Sequence, residues 1–142
     1  MYEYKVSITK VVDGDTVDVD IDLGFGMTYK KQRVRLMGID TPESRTRDLV
    51  EKLFGKASKK HLKEILSNAE MLTLVSHDKG KFGRILGDFL VYDSSEDATK
   101  RLTEVMISQG YGVAYHGQNK DEVEAEHLKN RERLISEGKV TV

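Results

Sequence analysis

Polar and apolar residues alternate along the first forty positions of the chain. The alternation runs over residues 3–11 and is strict over 15–22. A turn with two glycines at 23–26 leads into a third alternating segment over 28–39, which Pro42 ends. The pattern therefore predicts three consecutive strands joined by hairpins.

Helical spacing of apolar residues begins after this region. A helix is predicted over 48–68, although Gly55 interrupts the pattern and leaves the start of the helix open. Two strands and two further helices are predicted after it, at 71–75, 85–92, 97–109 and 121–136. Asp121 and Glu124 form a capping box for the last helix, and Gly138 ends it.

This order of elements predicts an α+β fold. Three strands, a helix, two strands and two helices suit an OB-fold five-stranded antiparallel β-barrel with three α-helices. A length of 142 residues fits a single domain over 1–142. With 38% hydrophobic and 33% charged residues the chain is neither disordered nor membrane-spanning. We expect a cytoplasmic protein, or a secreted one whose signal peptide has been removed.

Asp15 differs from the other aspartates of the second strand in its parity. It shares the parity of Val17 and Val19, which we expect in the core, whereas the residues of opposite parity face water. A carboxylate directed inward is costly unless a cation or hydrogen-bond donors compensate it, so Asp15 is a candidate ligand. The alternative for residues 13–16 is a plain turn, because Asp-Gly is a strong turn former.

A second group of charges follows the third strand. Arg35 lies on that strand, and Asp40 and Glu43 follow it three residues apart. A phosphodiester under attack needs fixed cations for its developing charge, and the planar arginine fork serves this better than lysine. Arg84 is a further candidate for binding the phosphate. An ordinary strand exit at 40–43 and a basic turn around Arg84 are the alternatives.

Several other functions find little support in the sequence. The aspartates from Asp18 onward do not form an EF-hand, because Leu23 and Tyr29 stand where that loop needs glycine and glutamate. The histidines have no metal-binding spacing, and we expect them to be surface or structural: His61, His77, His116 and His127. A net charge of −1 means that any phosphate binding must be local.

Taken together and in order, these segments resemble the staphylococcal nuclease (thermonuclease) family. The resemblance rests on Val12–Val17, Arg35 through Glu43, Gly83–Arg84, Gln109–Gly110 and Val113–Tyr115. It implies an OB-fold barrel with three helices and a calcium-dependent phosphodiesterase that acts on DNA and RNA. It also implies cleavage between phosphorus and the 5′ oxygen, which leaves 3′-phosphate ends.

The resemblance also implies roles for individual residues. Ca²⁺ would be bound by the carboxylates of Asp15 and Asp40 and the backbone carbonyl of Thr41. Glu43 would hold or deprotonate the attacking water, while Arg35 and Arg84 would bind the phosphate. Substrate contacts are expected from Lys81, Phe82, Tyr111 and Tyr115, with a place in the core as the alternative for either tyrosine. Phe82 departs from the family prototype, which has a tyrosine there.

Three functional classes remain to be compared. The first is an active sugar-nonspecific endonuclease with DNA and RNA as substrates, which we expect to be a monomer without an obligate protein partner. The second is a nuclease-like OB domain that only binds nucleic acid; such domains typically lack the arginines or the glutamate, whereas Arg35, Glu43 and Arg84 are all present. A plain calcium-binding protein would need more protein ligands than two aspartates and a carbonyl.

Overall fold

The fold is a closed barrel with helices packed around it. The computed structural model describes residues 2–67, 72–79, 83–93 and 96–142, with only the backbone of 78 and 79. Its elements are β1 (Tyr2–Asp13), β2 (Thr16–Gly24), β3 (Met27–Leu36), β4 (Ile39–Asp40), α1 (Leu49–Ser67), β5 (Leu72–Lys79), β6 (Ile85–Asp93), β7 (Ala98–Arg101), α2 (Leu102–Ser108), β8 (Val113–Ala114) and α3 (Lys120–Ser136). None of the described helices is long and apolar enough to cross a membrane.

Five of the described strands form the barrel. The sheet runs in the order β3-β2-β1-β5-β6-β7, and β3 also pairs in parallel with β6. This pairing closes the barrel and leaves β7 as an additional strand beside β6. A separate antiparallel pair is formed by β4 and β8. The predicted α+β class with an OB-type five-stranded barrel and three helices is therefore confirmed, except that the β3–β6 pairing is parallel.

The barrel core follows the parity of the second strand. Val17, Val19 and Ile21 are buried, as the alternation predicts. Phe89 of β6 and Phe54 of α1 belong to the same buried cluster, together with Leu62 and Leu66 of that helix. The parity holds for these three residues, but Thr16, of the opposite parity and next to Asp15, is buried as well, so parity alone does not single out Asp15.

The predicted helix over 97–109 is wrong in its first third. Residues Ala98–Arg101 form β7, which pairs antiparallel with β6, and the helix begins only at Leu102. Hydrogen bonding to the free edge of β6 outweighs the helical spacing of the apolar residues here. Asp88 of β6 also accepts a hydrogen bond from the Thr103 N–H and so satisfies one of the unpaired donors at the start of α2.

The capping box predicted for α3 is also wrong. The N-cap is Asn119, two residues before Asp121, and its side chain accepts a hydrogen bond from the Glu122 N–H, so the helix starts at Lys120. The third predicted strand is divided in two: β3 ends at Leu36, and Gly38, at φ +85°, turns the chain before β4. The last residue of the predicted first helix, 68, and residue 71 of the predicted strand lie outside the described residues.

Candidate active site

Asp15 lies in the turn between β1 and β2, with its side chain largely buried. One carboxylate oxygen, Oδ1, accepts a hydrogen bond of 2.9 Å from the Thr16 hydroxyl, and Oδ2 lies 3.4 Å from Nη2 of Arg35. Burial raises the pKa of Asp15, while the Arg35 charge and the hydroxyls of Thr16 and Thr41 act in the opposite direction. Asp15 therefore ionises at a cost that a bound cation would offset.

Arg35 is held by the turn that follows β3. Its guanidinium donates to the carbonyl oxygen of Leu36 and, at 3.1 Å, to that of Ile39, and it faces Asp15 as well. These three acceptors surround a planar group with fixed donor directions. The guanidinium is consequently oriented before any substrate binds.

The segment that carries Asp40 and Thr41 packs against the turn of Asp15. Thr41 is buried, and its side chain is near enough to the Asp15 carboxylate to act against the rise in the pKa of Asp15. A Cβ atom on Gly14 would lie only 3.1 Å from the Thr41 hydroxyl oxygen, so glycine at this position permits the close approach. Two segments more than twenty residues apart in the chain are thus joined where the sequence predicts a shared site.

Glu43 completes a concentration of negative charge. Its pKa is raised, first by partial burial and then by the neighbouring carboxylates of Asp13, Asp15, Glu51 and Asp40, in that order. These carboxylates are near enough to repel the charge of Glu43, so a cation bound among them would relieve the repulsion.

The donor set fits a hard cation that keeps open coordination positions. Within the described residues, no three histidine, cysteine or carboxylate side chains are placed to hold a metal ion. Asp15, Asp40 and the Thr41 carbonyl comprise only two such side chains, and all three would supply oxygen, which Ca²⁺ prefers. Further ligands would have to come from water or substrate.

Arg84 lies at the opening end of β6. The parallel register places Leu86 beside Arg35, so Arg84 is two residues from the position that pairs with Arg35. No described hydrogen bond or ion pair engages its guanidinium, which is therefore available to a ligand. The neighbouring candidates Lys81 and Phe82 lie outside the described residues.

The two candidate tyrosines have different environments. Tyr111 is 8% exposed and stacks on His61 with 4.0 Å between ring centroids. Tyr115 follows β8 and is 48% exposed, and its backbone N–H donates to the carbonyl oxygen of Gly38. The structure thus places Tyr111 in the core and leaves the ring of Tyr115 exposed.

His127 is a neighbour of the site that the sequence pattern does not reveal. Its Nε2 lies 2.7 Å from Oδ2 of Asp40, although the two residues are 87 positions apart. Histidine spacing carries no signal for this contact, because it joins one histidine of α3 to one carboxylate of β4. His127, which we expect to be surface or structural, therefore contacts one of the candidate metal ligands.

The sequence is similar to that of several known proteins. A family model described as "Staphylococcal nuclease homologue" matches residues 33–140. "Protein ParB" of Escherichia coli is 29% identical over 124 residues, covering 84% of this chain and 63% of ParB. "Thermonuclease" of Staphylococcus intermedius is 35% identical over 80 residues, 56% of this chain and 44% of that protein. "Endonuclease YhcR" of Bacillus subtilis (strain 168) is 28% identical over 120 residues, 80% of this chain and 9% of that protein.

The chain spans less than two thirds of the length of each of these three relatives. The family match, in contrast, covers most of the chain and includes Arg35, the segment from Asp40 to Glu43, and Arg84. The chain belongs to the staphylococcal nuclease homologue family.

Proposed function

We propose that this chain is a calcium-dependent endonuclease that hydrolyses phosphodiester bonds of both DNA and RNA and leaves 3′-phosphate ends. The observation that carries the proposal is the position of Asp15, 3.4 Å from the Arg35 guanidinium and next to Gly14, which packs against Thr41 in the segment that leads to Glu43. The family and the relatives named as nucleases support the reaction class. DNA and RNA are then its partners, and one chain supplies every proposed catalytic group, as an active monomer requires.

The proposed calcium ligands are Asp15 and Asp40, through their carboxylates, and Thr41, through its carbonyl oxygen. Bound Ca²⁺ would supply positive charge beside the scissile phosphate and lower the electrostatic cost of its negative transition state. The raised pKa of Asp15 and the crowding of carboxylates around Glu43 are what such an ion would offset.

Glu43 is the proposed general base. Its carboxylate would accept a proton from the attacking water as the water oxygen bonds to phosphorus. The bond between phosphorus and the 5′ oxygen would break, and the 5′ oxygen would keep the bonding electrons and take a proton from solvent to leave as a hydroxyl. The raised pKa of Glu43 favours this role, because a base is most effective when its pKa lies nearer the working pH. Arg35 and Arg84 would donate to the phosphate oxygens while charge develops on them.

The test is digestion of single-stranded DNA, duplex DNA and RNA in the presence of Ca²⁺, Mg²⁺ or chelator, followed by analysis of the product ends. We expect cleavage of all three with Ca²⁺, no cleavage with chelator, and 3′-phosphate products. Glu43→Gln should lower turnover by roughly 10² to 10⁴, the range for a positioned base, while calorimetry shows retained Ca²⁺ binding.

Binding of nucleic acid without calcium-dependent cleavage would instead identify a catalytically weak, binding-only domain. Unchanged turnover of Glu43→Gln would remove this residue from the mechanism but leave the metal assignment standing.

A further inference from the structure

The carboxylate of Asp40 has one described side-chain partner, the imidazole of His127. Nε2 of His127 lies 2.7 Å from Oδ2 of Asp40, and the His127 side chain is only 14% exposed. Because an ionised carboxylate only accepts hydrogen bonds, Nε2 carries the hydrogen of this bond. Asp40 itself lies on β4, a strand of two residues that pairs only with the equally short β8 in the described part of the sheet.

The position of His127 is fixed by the way α3 is attached to the barrel. Residues at helical spacing from His127 face the same side: Asn130 donates to the Gly112 carbonyl oxygen at 3.1 Å, Arg131 lies over the Phe54 ring, and Leu134 is buried. His127 is the end of this row nearest the start of the helix. The docked helix therefore holds the imidazole against Asp40.

We propose that His127 is a positioning residue for calcium binding, which donates a hydrogen bond to Oδ2 of Asp40 and fixes that carboxylate for the cation. This role rests on the proposed function. A ligand carboxylate held in place loses less freedom when the ion binds, and hydrogen bonds from the surrounding shell are a recurrent part of metal sites. Through it, α3 contributes to the site although none of its residues is a proposed ligand.

The experiment compares three variants of the whole chain with the wild type. His127→Leu removes the donor, His127→Gln retains an N–H at nearly the position of Nε2, and Asn130→Ala removes a different bond of the same helix, to the Gly112 carbonyl. Ca²⁺ affinity is measured by isothermal titration calorimetry without substrate, and thermal unfolding without Ca²⁺ reports on helix docking.

We expect His127→Leu to weaken Ca²⁺ binding by about 10- to 100-fold, the usual effect of losing such a partner. His127→Gln should restore most of the affinity, and Asn130→Ala should bind Ca²⁺ like the wild type even if it unfolds at a lower temperature. In digestion assays, saturating Ca²⁺ should restore the turnover of His127→Leu and leave its KM for DNA unchanged.

Two results would overturn the proposal while Ca²⁺ still binds to the wild type. Equal or tighter binding by His127→Leu would mean that the imidazole is indifferent to the ion or competes with it for Asp40. Equal weakening by Asn130→Ala would assign the effect to helix docking alone. Failure of the wild type to bind Ca²⁺ would instead refute the metal in the proposed function, and this role with it.

Discussion

Gly55 of α1 lies directly against the backbone of Glu43. A Cβ atom at Gly55 would stand 2.3 Å from the Glu43 carbonyl oxygen and 2.6 Å from the Ser44 nitrogen. Glycine inside a helix is less favourable than alanine by about 1 kcal/mol, so this position gives up helix stability for close packing. The helix thereby supports the loop that carries the proposed general base.

Gly55→Ala should therefore displace Glu43 rather than strengthen the helix. The added methyl group meets backbone, which cannot rotate away, and we expect a loss of roughly 1–3 kcal/mol in the free energy of unfolding. A displacement of about 1 Å at a catalytic group can lower turnover by about 100-fold, so kcat should fall while Ca²⁺ affinity changes little. Steady-state kinetics and calorimetry check both.

The matched control for this substitution is Lys56→Ala, at the next and exposed position of the same helix. It should leave kcat unchanged. Wild-type kcat for Gly55→Ala, in a protein that is no less stable, would show that the loop adjusts and that Gly55 has no part in placing Glu43.

Gly55 also shows where sequence reasoning about the fold fails. Alternation predicts β1 to β3 because one face of each strand is buried, and helical spacing predicts α1. In the sequence Gly55 is only an interruption of the helical pattern. What requires glycine there is a contact with a loop that is distant in the sequence. Sequence reasoning misses strand β7 for the same reason, because Ala98–Arg101 pairs with the edge of β6, which local spacing cannot reveal.

The candidate site also contains residues that local sequence features predict and residues that they do not. The parity of Asp15 and the short distance in sequence from Arg35 to Glu43 are local features, and the structure brings these residues together. His127 and the stacking of Tyr111 on His61 depend on how α3 and α1 dock, so no spacing rule could predict them. The roles of the predicted residues remain predictions that the following variants address.

Asp15→Asn and Asp18→Asn should differ in their effect on calcium. Both remove one negative charge from the same region, so the long-range effect on a cation is similar. Asp18, however, is already paired with Arg33 at 2.8 Å on the outer face of the barrel. We expect Asp15→Asn to weaken Ca²⁺ binding at least about tenfold and Asp18→Asn to change it little, by calorimetry. Equal effects would contradict direct ligation by Asp15.

Arg35→Lys should be damaging although it conserves charge. One guanidinium reaches two backbone carbonyls and Asp15 together, and an ammonium cannot reproduce these fixed directions. We expect kcat to fall by roughly 10² to 10³, the cost of losing one oriented donor to the transition state. Arg33→Lys, the same change two residues away on the exposed face, is the control. Near wild-type turnover for Arg35→Lys would make Arg35 structural.

Substitution of Tyr115 should weaken substrate binding, whereas substitution of Tyr111 should lower stability. Tyr115→Ala removes the exposed ring, and we expect KM for single-stranded DNA to rise by the equivalent of roughly 1–3 kcal/mol with kcat nearly unchanged. Tyr111→Ala removes a buried, stacked ring and should lower the free energy of unfolding by roughly 3 kcal/mol. A higher KM for Tyr111→Ala, with stability retained, would reverse the two assignments.

Asp88 predicts a pH dependence of stability that is separate from catalysis. It is 3% exposed, accepts hydrogen bonds from the Phe89 and Thr103 N–H groups and the Thr103 hydroxyl, and burial raises its pKa against these bonds and the charge of Arg101. The folded protein therefore holds the carboxyl proton of Asp88 more tightly than the unfolded chain does, and protonated Asp88 stabilises the fold. This stabilisation is complete below the pKa of Asp88 in the unfolded chain and is lost as the pH rises through its pKa in the folded protein.

Asp88→Asn should therefore remove a decrease in stability that begins as the pH rises above about 4. The asparagine oxygen can still accept the backbone N–H groups, and its amide can donate to the Thr103 hydroxyl oxygen. Denaturant unfolding from about pH 4 to pH 7 should show that the free energy of unfolding of the variant changes less with pH. At pH 7 it should be at least equal to that of the wild type.

Asp15 and Glu43 also have raised pKa values and contribute to the pH dependence of both proteins, so the difference between variant and wild type isolates Asp88. Asp18→Asn should show the opposite sign, because the Arg33 hydrogen bond lowers the pKa of Asp18 and its small contribution is lost as pH falls. A variant profile parallel to that of the wild type would mean that Asp88 does not change its protonation on unfolding.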